Sequence, residues 1–385
     1  MRKKLLRCFK NLPEDDKEMN KVMRIILLIL TLLPTFVFGD GQDSLGGQRN
    51  GFLMLPILFY TPETKLAGGA AMNYYFHERG SSDAGRPSTI MPSLIYTQQK
   101  QIMSEISADL YWRNGDYHLL GYVNYKKFPD KFYGIGANTP QSNEEKYTPL
   151  SAIVRTSLQH RIRSGLYVGI HYEFEHHKLI KVEANGLLAQ REILGSRGGT
   201  VSGVGLLING DTRDNIFYPM SGTYWQLTAT LFNRTLASDY DFKRYNLDFR
   251  QYLPLSSSGV IAFQAYMNVM TGAPPFQKLS MLAGRIGSSN LMRGYYEGRY
   301  RDKQMLAFQL EYRMMPLWRR LGLAAFAGWG DVSDRMKSFR LRKFKYSIGG
   351  SIRFLISRQE KLNLRLDFAY GKNASGMYIT IGEAF

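Results

Sequence analysis

Apolar and polar residues alternate along much of the chain. In KLNLRLDFAY, residues 361–370, Leu362, Leu364, Leu366, Phe368 and Tyr370 fall on one side of an extended backbone, and Asn363, Arg365, Asp367 and Ala369 on the other. The same split recurs in YNLDFRQY, where Tyr245, Leu247 and Phe249 oppose Asn246, Asp248 and Arg250. In MLAFQLEYR, Leu306, Phe308, Leu310 and Tyr312 oppose Gln309, Glu311 and Arg313. Segments of this kind centre near residues 56, 71, 94, 107, 121, 154, 170, 204, 226, 247, 265, 310, 325, 350, 366 and 380, sixteen in all.

A soluble sandwich turns its apolar face inward and does not usually place Arg, Asp and Glu on the other face of nearly every strand. A membrane-spanning barrel does so naturally, with apolar residues toward lipid, a polar lumen and aromatic ends to the strands. In lipid only a closed sheet satisfies every backbone group. The predicted fold is therefore all-β, an antiparallel transmembrane β-barrel of about 16 strands over residues 51–385. With both ends of the barrel sequence on the periplasmic side, the long connections near residues 131–147, 179–197 and 272–303 lie on the outer side. YITIGEAF, residues 378–385, reads as the last strand, ending on Phe385.

The start of the chain supplies a location. KVMRIILLILTLLPTFVFG, residues 21–39, has a basic start, an apolar run and a small residue at its end, the layout of a secretory signal. Residues 1–39 are expected to be leader and signal, cleaved after Gly39, with translation starting at Met19 or Met23, and residues 40–50 a short polar linker. Beyond residue 39 no apolar run is long enough for a transmembrane helix. The one cysteine, Cys8, lies in the leader, so neither a disulfide nor a lipid anchor is expected in the mature protein. The predicted location is the bacterial outer membrane.

The formal net charge of +18 points either to nucleic acid or to an anionic membrane surface. Much of it falls in the leader, the lumen-facing positions and the outer loops, where it meets outer-membrane lipid and lipopolysaccharide. No nucleic-acid partner is expected. In IHYEFEHHK, residues 170–178, His171, Glu173, Glu175 and His177 share one strand face, the pattern nearest to a metal site. Alternate residues on a strand are about 7 Å apart, so only neighbours in the row could share an ion; a solvated lumen wall is expected, with no metal and no cofactor. A hydrolase would need a nucleophile beside an oriented base, and no Ser or Asp motif surrounds the six histidines. The chain is not expected to be an enzyme.

One long connection stands out. GRIGSSNLMRGYYEGRYRDKQ, residues 284–304, carries Arg285, Arg293, Arg299 and Arg301 between two strand-like segments. A connection of about thirty residues is seldom left loose unless functional. An arginine held inside a barrel needs a carboxylate, because an unpaired desolvated charge is costly.

NLMRGYYEG, residues 290–298, resembles the V/I-R-G-F/Y loop motif of the BamA/TamA-like outer-membrane proteins, also called the bacterial surface antigen family. NGDTRDNIFYPMSGTYWQL, residues 209–227, resembles that family's D-T-R-D…P…G-T-Y turn, and FYGIGANT, residues 132–139, is a looser match. The resemblance covers residues 51–385 and implies that the long outer loop folds back into the lumen. Arg293, with Gly294 and Tyr295, then acts as a latch against acids on the following strands. Glu311 is the first choice of partner, Arg313 stands beside it, and Asp331 and Asp367 are alternatives.

The turn motif of Asp211, Arg213, Asp214, Pro219 and Gly222 reads as periplasmic and structural rather than catalytic, since Asp shapes turns and Arg213 neutralises its neighbours. There are two departures from the family. Its F-x-D-x-G pattern aligns with Phe326, Gly328 and Gly330, so glycine stands where an aspartate is expected. Its periplasmic POTRA modules have no counterpart in residues 40–50. The function implied is protein or lipid insertion or translocation at the outer membrane, working with a separate periplasmic partner protein. The alternatives are a loop-plugged channel or structural barrel without translocase activity and, less favoured, a barrel hydrolase.

Overall fold

The computed structural model describes residues 50–385 apart from 77, 79–87, 287–288 and 358–360. The predicted signal and nearly all of the predicted linker lie outside the described residues. Sixteen long strands follow in chain order: β1 (Asn50–Thr61), β2 (Lys65–Phe76), β3 (Ser88–Thr97), β4 (Ile102–Trp112), β5 (Tyr117–Lys127), β6 (Glu145–Arg163), β7 (Leu166–Val182) and β8 (Gly199–Asp211). The second half is β9 (Gly222–Phe232), β10 (Phe242–Pro254), β11 (Gly259–Gly272), β12 (Gln304–Trp318), β13 (Leu321–Ser333), β14 (Lys345–Ser357), β15 (Leu362–Gly371) and β16 (Ala374–Ile381).

Each strand pairs antiparallel with its chain neighbours, and β1 meets β16 to close the sheet. Every predicted centre falls inside one of these strands. Alternation is what makes this a barrel rather than a sandwich. On β15 the buried positions are Asn363, Arg365, Asp367 and Ala369, while Leu364, Leu366 and Phe368 stay partly exposed. Leu206 is 69% exposed and Ile348 56%, whereas Glu311, Arg313, Arg353 and Asp367 are at 0%, so the charges are the interior and the aliphatic residues are the surface. That inversion fits lipid outside and a polar lumen inside.

The connections sort by end. On one end lie residues 128–144, 183–198, 233–241, 273–303 and 334–344; on the other are shorter links such as 113–116, 164–165 and 319–320. Aromatic and aliphatic side chains tie three of the long loops together, with Phe132 and Leu188 packed beside Phe276, Leu279 and the β6 residue Tyr147. Residues Asp130–Phe132 add a short pairing to the start of β6.

The last strand departs from the sequence expectation. It ends at Ile381, Gly382 takes φ +86°, and the following residues leave the sheet. Ala384 and Phe385 are buried with Tyr218, Tyr252, Val260, Ala262 and Met315 at the short-turn end. Phe385 is therefore packed beneath the barrel wall instead of finishing β16. The cause is electrostatic as well as apolar: the Arg353 guanidinium holds Glu383 at 2.7 Å, and Arg313 donates to the Phe385 carbonyl oxygen at 3.1 Å.

Candidate functional site

Arg293 sits in the long connection of residues 273–303, and its side chain reaches inward-facing positions on two strands. Nη2 lies 2.5 Å from Glu311 Oε2 on β12 and Nη1 lies 2.9 Å from Asp367 Oδ2 on β15. The guanidinium also stacks 3.5 Å from the centroid of the Phe326 ring. Glu311 itself meets two further guanidiniums, Arg313 at 2.8 Å and Arg353. Arg365 pairs with Asp367 at 2.9 Å, and Ser351 Oγ donates to the same carboxylate at 2.5 Å. Together with Glu383 this makes four guanidiniums and three carboxylates in one buried network among the described residues. A network of this kind holds geometry, because removing any one carboxylate leaves desolvated guanidiniums behind.

The neighbours of Arg293 are fixed by backbone chemistry. Gly294 has φ +105°, and a Cβ there would meet the Ala369 backbone at 3.3 Å, so the chain can press against β15 only as glycine. Its N–H donates to the Tyr378 hydroxyl on β16 at 2.8 Å. The Tyr295 hydroxyl donates to the Tyr346 carbonyl at 2.9 Å and accepts from the Lys372 N–H at 2.9 Å. Asp331 is not part of the set; it pairs with Lys345 at 2.6 Å. At Gly328 the space on the inner wall is taken by Met292, whose sulfur lies 3.2 Å from where a Cβ would stand.

A second ionic group anchors the other end of the same loop. Lys278 binds Glu173, and lies 3.0 Å from Glu175, both on β7. Arg244 on β10 meets Glu173 at 2.5 Å and Arg155 on β6 meets Glu175 at 2.6 Å. The row His171, Glu173, Glu175 and His177 is thus a wall whose two almost fully buried glutamates are each held by cations, while the row as a whole lines the cavities of the lumen. Ser151 Oγ stands 2.8 Å from His177 Nδ1, and His177 Nε2 stands 3.0 Å from Glu175. The same motif repeats at Ser157, His171 and Glu173, because Ser151 opposes His177 and Ser157 opposes His171 across the β6–β7 ladder. Repetition by register, with Arg and Lys already on each glutamate, identifies a satisfied polar ladder rather than a catalytic triad.

The turn motif also stands in place. Asp211 takes Arg213 through Nε at 2.9 Å and Nη2 at 2.8 Å, and Asp214 accepts the N–H groups of Met220 and Ser221. Pro219 is buried. Gly222 has φ +99°, and a Cβ there would stand 2.2 Å from the Thr212 carbonyl oxygen. These contacts shape the turn and bring Tyr218 under the barrel beside Phe385.

The least expected feature is the seam. β1 pairs with β2 from Asn50–Phe76 to Thr61–Lys65, yet shares one register pair with β16, Tyr60 with Ile379. In that register Thr380 and Ile381 fall opposite Phe59 and Leu58, so among the described residues positions 50–57 of β1 have no strand on their other side, the chain after β16 having turned inward at Gly382. Sequence alternation reads β1 and β16 as ordinary strands; the signals that could have marked this break are Gly382 and the charge of Glu383. Arg353, Arg365, Glu383 and Lys278 were likewise not singled out as site residues.

Residues 85–385 match the Omp85 superfamily domain. No curated protein sequence matches. Among solved structures, BamA from Haemophilus ducreyi lacking POTRA domains 1–3 superposes with TM-score 0.58 at 14% identity, covering 87% of this chain and 70% of that one. CdiB from Acinetobacter baumannii gives 0.54 at 13%, covering 87% and 60%, and CdiB from Escherichia coli 0.54 at 7%, covering 88% and 64%. The chain thus spans less than two thirds of either CdiB chain, and at these identities the likeness is one of fold.

Proposed function

The chain belongs to the Omp85 superfamily, and from that premise we propose that it works in the bacterial outer membrane, passing β-structured protein through its own wall at the β1–β16 seam. The observation that carries this reading is the single register pair, Tyr60 with Ile379. In hydrocarbon each unpaired backbone group costs several kcal/mol, so a strand edge such as residues 50–57, which have no neighbour beyond the end of β16 among the described residues, is an expensive thing to leave open. An exposed edge is also a template on which another strand can add, its backbone groups supplying what β16 does not. A channel has no use for such an edge; an insertase does.

Partners follow from the same geometry. Clients would be extended, alternating segments, delivered at the short-turn end by a separate periplasmic protein. At the other end, residues 334–344 expose Arg335, Lys337, Arg340, Arg342 and Lys343 beside Leu341, which is 77% exposed. Cations flanking an exposed aliphatic residue fit phosphorylated lipid such as lipopolysaccharide at the outer surface.

The test is to lock the seam. Tyr60→Cys with Ile379→Cys places two thiols at the one paired position, in a chain whose native cysteine is Cys8. The oxidised barrel is expected to lose insertion of an unfolded outer-membrane barrel client into liposomes, with recovery on reduction. Undiminished insertion by the oxidised form would leave the loop-plugged channel as the better reading, which the loop contacts of Arg293 and Lys278 favour.

A further inference from the structure

We propose that residues 294–297 of the long loop form a clasp that grips both sides of the β1–β16 seam from within and decides when it opens; the regulatory role rests on the seam being the exit. Two peptide N–H groups of this short segment point to opposite banks. Gly294 donates to Tyr378 on β16 at 2.8 Å, and Glu297 donates to Glu63 Oε1, in the turn that follows β1, at 2.9 Å. With a single register pair between β1 and β16, these loop contacts add a grip on each side of the seam at that end.

The two grips are unequal. On the β16 side the loop is fixed by Arg293 to Glu311 and Asp367, by Ser347 to the Arg293 carbonyl, and by the close fit of Gly294 on Ala369. On the β1 side the turn is well anchored: the Thr61 and Thr64 hydroxyls bond each other at 2.9 Å, and Gln101 Nε2 donates to the Glu63 carbonyl at 3.1 Å. What joins anchored turn to anchored loop is the Glu63 side chain. It is the contact that can let go while both banks stay folded.

Its chemistry suits release. Glu63 is 8% exposed, and burial, reinforced by the Glu297 carboxylate, pushes its pKa up to about 7. Glu297 and Tyr296 of the loop and Tyr378 of β16 act on or are acted on by its charge, and Glu105, Lys126, Asp130 and Arg293 line the same cavity. In an open seam Glu63 would return to the ordinary carboxylate range. The closed form therefore holds the proton more tightly, so closure is favoured in acid and weakens as pH rises from that range through about 7.

Planar-bilayer conductance tests this with four forms of the full chain: the parent, Glu63→Gln, Tyr378→Phe, and the Tyr60→Cys/Ile379→Cys barrel oxidised. Between about pH 5.5 and about pH 8 the parent's open events should rise on the order of tenfold. Glu63→Gln, which keeps an acceptor but cannot ionise, should stay at the low level throughout. Tyr378→Phe, which loses the other grip, should be raised at both pH values, and the oxidised barrel should be flat. A Glu63→Gln barrel that follows the parent's profile overturns the clasp, as does a pH response that persists with the seam locked. Either result leaves strand insertion at the seam standing, since that is read by client insertion and not by conductance.

Discussion

Arg293 and Glu311 are bonded to each other yet are not equivalent. Without Arg293 the remaining guanidiniums of Arg313, Arg353 and Arg365 still balance Glu311, Asp367 and Glu383; without Glu311 four guanidiniums face two carboxylates. Glu311→Gln is therefore expected to cost the barrel about 3–5 kcal/mol, the usual consequence of stranding buried charge, and Arg293→Met less, both read by urea unfolding from lipid vesicles. Protease protection of the loop should rank them the other way, since Arg293 is the member the loop itself contributes. Equal ranking in both measurements would mean that the network does not hold the loop. Glu311, Arg313 and Asp367 were legible in the sequence because alternation tells which face a residue takes. It does not tell height along the barrel, and so Arg353, from β14, and Glu383, thirty residues beyond it, were not seen as companions. Nor could the glycine at position 328 be read as occupied space, because Met292 fills it from a different element.

Individual strands were the most legible level. Period-two alternation located all sixteen, and the register confirms its parity: Leu366 lies between Ile352 and Ile379 on one side of the wall, while Asp367 lies between Ser351 and Tyr378 on the other. Leu366→Arg should destabilise the folded barrel in lipid by about 2–4 kcal/mol, the cost of a charge near the bilayer midplane. Arg at position 367 should instead fail through the ion network, by stranding Arg293 and Arg365. Insensitivity of the barrel to Leu366→Arg would contradict the assigned outer face. Where the strand reading erred was at an end. A strand over residues 378–385 was read from its closing Phe385, but Gly382 permits a positive φ and Glu383 finds Arg353 inside, which outweighs four more residues of ladder. The loop that bears Arg293 was legible by its length and arginines; its second anchor, Lys278, was not, because a single lysine in the largely apolar stretch 273–283 carries no mark of the buried glutamates it will meet.

At the scale of the whole molecule, charge is distributed by place. The guanidiniums of the lumen are largely paired with acids, whereas residues 334–344 leave five cations exposed. Replacing Arg340, Arg342 and Lys343 by Gln should weaken binding of the folded protein to vesicles carrying anionic lipid, leave binding to zwitterionic vesicles unchanged, and reduce its salt dependence. Equal binding of parent and variant to anionic vesicles would remove this loop as a lipid contact. The fold class was legible because lipid imposes its pattern on every strand, whereas the seam was not, because it depends on how two distant ends meet. That same distance orders events in time. Neighbouring strands find each other through short turns such as residues 164–165, while Glu297 meets Glu63 across 234 residues of chain. Contacts between distant residues pay their loop-closure entropy late, after local pairing has shortened the effective path. The β1–β16 joint and its grip are thus expected to form last, a newly made barrel passing through a stage in which the wall is complete but still unsealed.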